Sequence, residues 1–328
     1  MYGYDVFHEN IIKEIINTIK NGTSKHAYLF VGAEGVGKRV AARLVANAFA
    51  CENKEYTPCT KCRACVGAKA DTNPDIQYIR PTDKKSITVE QAREIIASAY
   101  VKPMESEKKV YIIEDASLLG DATQNCLLKI LEEPPEYVVF IIISSSESFL
   151  LQTVLSRCTT VYFPSVDDNT LNDYIKKNYP DDIEKSELLI SLSQGIPGEI
   201  DKILNDPDYD DIRHQSFKNL VPLLSRHKIS AYKIAEFLEN NKDRAEEILD
   251  FWQSFLRDIM VIKNSDERLV KNIDLQEDLK NLSNRMNDNI PIVALEQLIL
   301  AKTMLKRYVN LHVLALHLSF SIKNRLYG

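Results

Sequence analysis

The segment 32–38 reads GAEGVGK and comes directly after a short apolar run, Ala27–Val31. Glycines let consecutive backbone N–H groups turn towards phosphate oxygens, and the final lysine can reach the outer phosphates of a nucleotide. An Ala- and Leu-rich helix that we predict to end near Ala50 would add the partial positive charge of its N-terminus. Strand, loop and helix in this order predict a phosphate-binding loop rather than a glycine-rich turn without a ligand. Its candidate contacts are Gly32, Gly35, Gly37 and Lys38.

Arg39 occupies the position after the lysine, where a loop that binds Mg²⁺ together with its nucleotide has serine or threonine. A guanidinium group has no lone pair to offer to a metal ion. If its charge stayed ~4 Å from a divalent cation, the repulsion would be about 8 kcal/mol at an effective dielectric constant of about 20. We therefore expect that the loop does not bind Mg²⁺ and that nucleotide hydrolysis is impaired or absent. Nucleotide binding without turnover stays open.

Glu114 and Asp115 follow the apolar run 110–113. This run is predicted to be a strand of a parallel sheet, and ligands of such sheets bind at the carboxyl ends of the strands. In an active ATPase an aspartate that holds the metal precedes the acid that orients the attacking water, but here the order of the two acids is reversed. Each side chain then has the wrong length for its role, so the acid pair is degenerate. The competing interpretation is an N-cap and a solvated acid before the next helix.

Four cysteines lie close together in the sequence, separated by seven, two and two residues: Cys51, Cys59, Cys62 and Cys65. Four thiolates are what tetrahedral Zn²⁺ needs, and two-residue gaps let consecutive sulfurs turn onto one ion. An iron–sulfur cluster is the alternative, but the Cys-Pro pair that ends a ferredoxin motif is missing. We predict a structural zinc site, because a site with four protein ligands is closed to substrate. A zinc-dependent nucleic-acid-binding module is disfavoured by the net charge of −6.

Arg157 precedes a predicted strand, Thr160–Phe163, within the sequence LSRC at 155–158. An arginine here is most often an ordinary surface residue. A loop at the end of an ATPase-like sheet can instead reach a neighbouring subunit. There the permanently charged guanidinium group would contact the γ-phosphate of that subunit's nucleotide. Arg157, with Ser156 beside it, is therefore a candidate arginine finger that acts in trans.

Short β-branched or aromatic runs alternate with helical patterns from residue 27 to residue 163. This alternation predicts a parallel sheet that is covered by helices on both faces. Two helix starts have the spacing of a capping box, Thr88 with Gln91 and Asp121 with Gln124. The predicted strands are Ala27–Val31, Ile76–Ile79, Val110–Ile113, Val138–Ile143 and Thr160–Phe163.

After residue 163 only helical patterns are found, and an acidic turn that contains proline interrupts them at 205–211. We therefore predict three domains, 1–163 with the cysteine module 51–65 inserted, 164–208 and 209–328. The last two predicted helices, 290–307 and 310–323, are apolar on more than one side. They are expected to lie in the core of a helix bundle or to be shared with neighbouring subunits.

Together with the sequence LLKILEEPP at 127–135, these motifs resemble the clamp-loader subunits of bacterial DNA polymerase III, which belong to the AAA+ branch of the P-loop proteins. The resemblance covers roughly residues 1–205. It implies an α/β AAA+ module with a parallel sheet, then a small helical lid domain and an all-α collar domain that holds a hetero-oligomer together. In this family the gamma or tau motor subunits have intact ATPase motifs, and delta-prime subunits have degenerate ones.

The sequence departs from the motor pattern at Arg39, at the acid pair, and at Gly198, where the resemblance places a sensor-2 arginine. All three departures affect the chain's own nucleotide site, whereas the motif around Arg157, which in the family serves the adjacent subunit's ATP, is kept. This combination resembles the delta-prime type, a stator that does not hydrolyse ATP. An active gamma- or tau-like ATPase with unusual motifs is the alternative. The implied partners are motor subunits, a delta-like subunit, the sliding clamp and primer–template DNA.

Length and composition are those of a globular protein of about two domains: 328 residues, 45% hydrophobic and 27% charged. The longest apolar run, Val138–Ile143, is much shorter than the ~20 residues of a membrane-spanning helix. The first ten residues have neither the basic nor the apolar segment of a secretory signal. We expect a cytoplasmic protein whose six cysteines are metal ligands or buried thiols rather than disulfides.

Overall fold

A computed structural model describes residues 7–53, 58–81, 86–227, 229–264, 266–305 and 310–327. The chain forms two compact units. The first consists of Met1–Asp181 with Gln194–Glu199, and the second of Asp182–Ser193 with Ile200–Gly328. The three-domain division at residues 163 and 208 stays a prediction.

The first unit contains a five-stranded sheet with the strand order β2-β3-β4-β1-β5, in which all neighbouring strands are parallel. The strands are β1 (Ala27–Val31), β2 (Ile76–Ile79), β3 (Lys109–Ile113), β4 (Val138–Ser144) and β5 (Thr159–Tyr162). The predicted parallel sheet is confirmed, although β5 begins and ends one residue earlier than predicted. Because β1, β3 and β4 are buried along their whole length, their sequences read as unbroken apolar runs.

The first unit also contains helices. They are α1 (Glu9–Lys20), α2 (Lys38–Ala50), α3 (Arg63–Lys69), α4 (Val89–Ala99), α5 (Asp121–Glu132), α6 (Gln152–Leu155) and α7 (Asp168–Asn178). Of these, α2, α4 and α5 pack against the sheet. Helix α2 contacts four of the strands. Helices α4 and α5 share a separate core with the alternate side chains of β1, β3 and β4. The sheet positions the phosphate loop, the acid pair and Arg157, since all three follow or precede its strands.

The two predicted capping boxes have different outcomes. Thr88 caps α4 in a full capping box with Gln91, as predicted. The second prediction is wrong, because the N-cap of α5 is Gly120 and Asp121 makes no such cap. The buried amide of Gln124 instead donates to the carbonyls of Leu119 and Phe149 at 2.9 Å and accepts from the N–H of Leu151 at 2.8 Å. A buried amide needs several partners, and here Leu119, which precedes the helix, and the distant loop at Phe149 and Leu151 provide them.

The second unit is helical, apart from its loops, throughout the residues that the structure describes. Its core surrounds the helix α12 (Ala245–Asn264), in which Trp252 is fully buried. The predicted burial of the last helix holds for Leu314 and Leu318, whereas Val313 is 57% exposed. The predicted end of the preceding helix, Arg307, lies outside the described residues. The helices that follow α7 are α8 (Ser186–Ser193), α9 (Pro197–Asn205), α10 (Tyr209–Leu224), α11 (Ile229–Asn240), α12 (Ala245–Asn264), α13 (Gln276–Ser283), α14 (Asn289–Leu305) and α15 (Leu311–Tyr327).

The α/β class of the N-terminal part and the helical character of the C-terminal part are confirmed. None of the helices described is both long and apolar enough to cross a membrane.

Candidate functional site

The predicted phosphate loop joins β1 to α2, and Gly37 is the N-cap of α2. Gly37 has a φ of +110°, in a region of backbone conformation that favours glycine. Gly35, Lys38 and Arg39 line a cavity of about 220 Å³, together with Glu114 and Asp115. The structure thus brings the sequence-predicted loop and acid pair to one cavity at the carboxyl edge of the sheet.

The ammonium group of Lys38 is buried within its own loop. Its Nζ donates to the carbonyl oxygens of Gly32 at 2.5 Å and Ala33 at 2.6 Å, and the residue is only 6% exposed. Burial lowers the pKa of Lys38 to about 8, although the carboxylates of Glu34 and Asp115 oppose this shift. The lysine therefore has hydrogen-bond partners within its own loop.

Both acids of the degenerate pair are engaged by neighbouring side chains. The guanidinium group of Arg80 donates to the two carboxylate oxygens of Glu114 at 2.9 and 2.7 Å. Asp115 accepts from the N–H and hydroxyl of Ser117 at 2.9 and 2.7 Å, and so caps the short helix Ala116–Leu118. The contacts of Asp115 are those of an N-cap residue. The carboxylate of Glu114, which would otherwise be free to bind a metal ion, is bound by the guanidinium group of Arg80.

Sequence reasoning missed Arg80, although a signal for it exists. Ile79 pairs with Ile113 in the parallel register of β2 and β3. The next residues of the two strands, Arg80 and Glu114, therefore lie side by side at the carboxyl edge of the sheet. A cation that directly follows the strand neighbouring Glu114 would have indicated this ion pair.

Gly198 lies against the phosphate loop. Its N–H donates to the carbonyl oxygen of Gly35 at 3.1 Å. A Cβ atom built at Gly198 would come within 2.7 Å of the Cα atom of Gly35, a distance that real Cβ atoms essentially never show. The position where the resemblance places a sensor-2 arginine thus has no room for any side chain unless the backbone moves.

The four predicted metal ligands meet in space. The sulfur atoms of Cys51, Cys59, Cys62 and Cys65 all lie within 4.8 Å of one another. The sulfurs of Cys59 and Cys65 are 3.9 Å apart, and a tetrahedral zinc ion with Zn–S bonds of ~2.3 Å would separate them by about 3.8 Å. This donor set fits a closed, four-coordinate metal site.

Backbone groups around the cysteines support thiolate sulfur. The N–H groups of Cys59, Cys62 and Cys65 each donate to the sulfur of a preceding cysteine at 3.3–3.4 Å. The backbone N–H groups of Lys61 and Cys62 lower the pKa of Cys59 to about 6, whereas burial raises the pKa of Cys65. Thr60, between two of the ligands, has a φ of +62°, an outlier for a β-branched residue.

Arg157 follows α6 and precedes β5, as predicted, but its side chain is held by its own chain. Its Nη1 donates to the carbonyl oxygen of Thr153 at 2.8 Å and to the hydroxyl of Ser156 at 3.3 Å. Its Nη2 forms an ion pair with Glu132 at 3.2 Å. The pair borders a surface depression of about 430 Å³ that is also lined by His26, Leu131 and Ser156.

Two family models together match most of the chain. One, described as "DNA polymerase III, delta subunit", matches residues 7–167. The other, described as "DNA polymerase III, delta subunit, C terminal", matches residues 207–318. The chain belongs to this family of DNA polymerase III subunits. The resemblance to DNA polymerase III subunits that the sequence motifs indicated is thereby confirmed.

Individual relatives carry two kinds of subunit name. DNA polymerase III subunit delta′ of Bacillus subtilis is 28% identical over 315 residues, which cover 94% of each chain. DNA polymerase III subunit tau/gamma of Haemophilus influenzae is 32% identical over 198 residues, 58% of this chain and 28% of that protein. The match to the second relative thus spans less than a third of its length. A solved gamma subunit-related protein of Thermotoga maritima aligns over 95% of this chain and 99% of its own, with 16% identity and a TM-score of 0.44.

We predict that Gly198→Ser lowers the stability of the protein by about 1–3 kcal/mol, because the new side chain would overlap the backbone of Gly35. The measurement is chemical denaturation followed by circular dichroism. Gly120→Ser is the matched control, since a Cβ there has nothing within 4 Å and serine is a good N-cap residue. Equal stability of the two variants would contradict the close packing of Gly198 on the loop.

Proposed function

We propose that this protein is a delta-prime-like stator subunit of the cytoplasmic clamp loader of DNA polymerase III. It does not hydrolyse ATP itself. It supplies Arg157 to the nucleotide site of a neighbouring ATPase subunit while the complex loads the sliding clamp onto primer–template DNA during replication. The family and the delta′ relative that covers 94% of the chain support a clamp-loader role.

The observation that carries the proposal is the state of the chain's own phosphate site. Lys38 is bound by loop carbonyls, Glu114 by Arg80 and Asp115 by Ser117. With Arg39 in place of a hydroxyl residue, the loop lacks the side-chain hydroxyl that binds Mg²⁺ directly after the lysine. Hydrolysis needs a metal and a positioned water, and the groups that would hold them are occupied.

The charges around the cavity also disfavour a nucleotide. Three carboxylates, those of Glu34, Glu114 and Asp115, line it against the two cations of Lys38 and Arg39. Arg80 balances the third carboxylate. A polyphosphate would therefore enter a site without net positive charge.

Arg157 is the group that this chain would lend to its neighbour. It lies beside an open depression at the surface, and among the residues that the structure describes one ion pair and two hydrogen bonds hold it there. A guanidinium group that enters a neighbour's site stabilises the charge that develops on the transferred phosphoryl group. Ser156, which accepts a hydrogen bond from Arg157, would help to orient it.

The last two helices support contact with motor subunits and a delta-like subunit. Exposed apolar side chains lie on α14, at Ile292 and Ile299, and on α15, at Val313. Exposed apolar residues on neighbouring helices favour a protein partner. We place the subunit contacts of the proposed complex on this helical part of the chain.

The cysteine cluster is proposed to bind structural Zn²⁺ rather than an iron–sulfur cluster. Its four sulfurs lie within 4.8 Å of one another, and the 3.9 Å between those of Cys59 and Cys65 suits a tetrahedral zinc ion. Since Cys51 caps the end of α2 and Cys65 lies in α3, the ion would join the phosphate-loop helix to the inserted module.

An active gamma- or tau-like ATPase with unusual motifs is the second candidate function. The observation in its favour is that Lys38 is kept and lines an open cavity with the acid pair. In that case the contacts of Lys38 and Glu114 would have to rearrange when a nucleotide binds.

We predict that Arg157→Ala strongly lowers the DNA-stimulated ATP turnover of the complex reconstituted with motor subunits, without preventing assembly. Arginine fingers contribute ~10³ to 10⁵ in rate at the site they serve. The complex should therefore lose nearly all of the ATP turnover that this one site contributes. Arg268→Ala is the control, because that arginine is 89% exposed and its ion pair is with nearby Asp266. Unchanged turnover with Arg157→Ala would rule out the finger role.

For the metal site, we predict about one zinc ion per chain by elemental analysis, close to none in Cys62→Ser, and a melting temperature several degrees lower for that variant. Cys126→Ser is the control, since Cys126 lies outside the cluster and its variant should keep the metal. Stoichiometric iron with visible absorption would contradict the assignment, as would full zinc content in Cys62→Ser.

A further inference from the structure

The guanidinium group of Arg157 is folded back against its own chain and does not project from the surface. We call this arrangement the stored conformation. Two of its contacts are local, to Thr153 and Ser156, and the third is the carboxylate of Glu132 at the end of α5. The Arg157 side chain is 28% exposed, compared with 59% for Glu132. The arginine in this conformation is therefore largely covered, whereas a finger must project from the surface.

The stored conformation leaves one polar atom unsatisfied. Nε of Arg157 is buried and has no hydrogen-bond partner among the residues that the structure describes. A buried donor without a partner carries a desolvation cost that is relieved when the group reaches solvent or an anion. The stored side chain thus depends on its other contacts, of which Glu132 is the only charged one among the described residues.

The Glu132 carboxylate is a weak competitor for the arginine. An ion pair as exposed as this one changes an equilibrium by about two- to fivefold. A γ-phosphate carries more negative charge and more acceptor oxygens, and it can bind a guanidinium group through two parallel hydrogen bonds. A phosphate that approaches this surface can therefore displace Glu132.

We propose that Glu132 holds Arg157 in the stored conformation and that the γ-phosphate of the neighbouring subunit's nucleotide displaces it. Glu132 is then a positioning residue that acts through Arg157 and raises the ATP concentration at which the arginine engages. The proposal rests on the proposed function, because it takes the neighbour's nucleotide as the ligand of Arg157.

The first measurement uses the isolated chain and the arginine reagent phenylglyoxal. Modification of Arg157 is followed by mass spectrometry of its peptide. In Glu132→Gln the arginine should react about two- to fivefold faster, since the charged contact is gone. Glu133→Gln, which removes the adjacent exposed acid, should react like the unaltered protein.

The second measurement uses the complex reconstituted with motor subunits. With Glu132→Gln, the ATP concentration for half-maximal turnover should fall about two- to fivefold, while the maximal rate changes little. In the Arg157→Ala background the same substitution should have no effect, because Glu132 acts through the arginine.

These outcomes separate the proposal from the proposed function. Equal modification rates in Glu132→Gln and the unaltered protein would overturn the stored conformation whatever the complex does. A maximal rate lowered as far as in Arg157→Ala, or an effect that persists without Arg157, would overturn the displacement by phosphate. If Arg157→Ala itself leaves turnover unchanged, the finger role and the displacement both fail, while the modification rates still decide whether Glu132 holds Arg157.

Discussion

The bidentate ion pair between Arg80 and Glu114 is central to the proposed loss of ATP hydrolysis in this protein. It places a permanent positive charge from the chain on the carboxylate where a nucleotide-hydrolysing site would hold a metal ion. The register of β2 and β3 builds the pair, because it sets residue 80 beside residue 114 at the sheet edge. The fold itself thus supplies the counter-charge.

Other groups around the loop are satisfied in the same way. Lys38 donates to carbonyls of its own loop, and Gly198 covers Gly35 so closely that a side chain there would collide with it. Each contact replaces an interaction that a nucleotide or its metal would otherwise make. Arg157 differs, because its contacts lie at the surface and include one exposed carboxylate that a stronger anion can displace. Under the proposed function, Arg157 would serve the neighbour's nucleotide while the chain's own phosphate loop does not support hydrolysis.

Local patterns in the sequence predicted the five strands, the glycine loop and the cysteine cluster. Each is encoded within a few consecutive residues, whether as a buried apolar run or as closely spaced ligands. The contacts of Glu114, Gln124 and Gly198 could not be predicted in this way. Their partners are brought together by the packing of elements distant in sequence. Asp121 with Gln124 is an example. The capping-box spacing occurs there at a helix start, but the glutamine side chain bonds Leu119 and the distant residues Phe149 and Leu151 instead.

The most direct test is to measure Mg²⁺-dependent ATP turnover by the isolated chain, beside its Lys38→Ala variant and beside a cognate motor subunit. We expect the isolated chain to show no turnover above the Lys38→Ala background, while the motor subunit is active under the same conditions. Turnover by the isolated chain that depends on Mg²⁺ and is lost in Lys38→Ala would contradict this expectation.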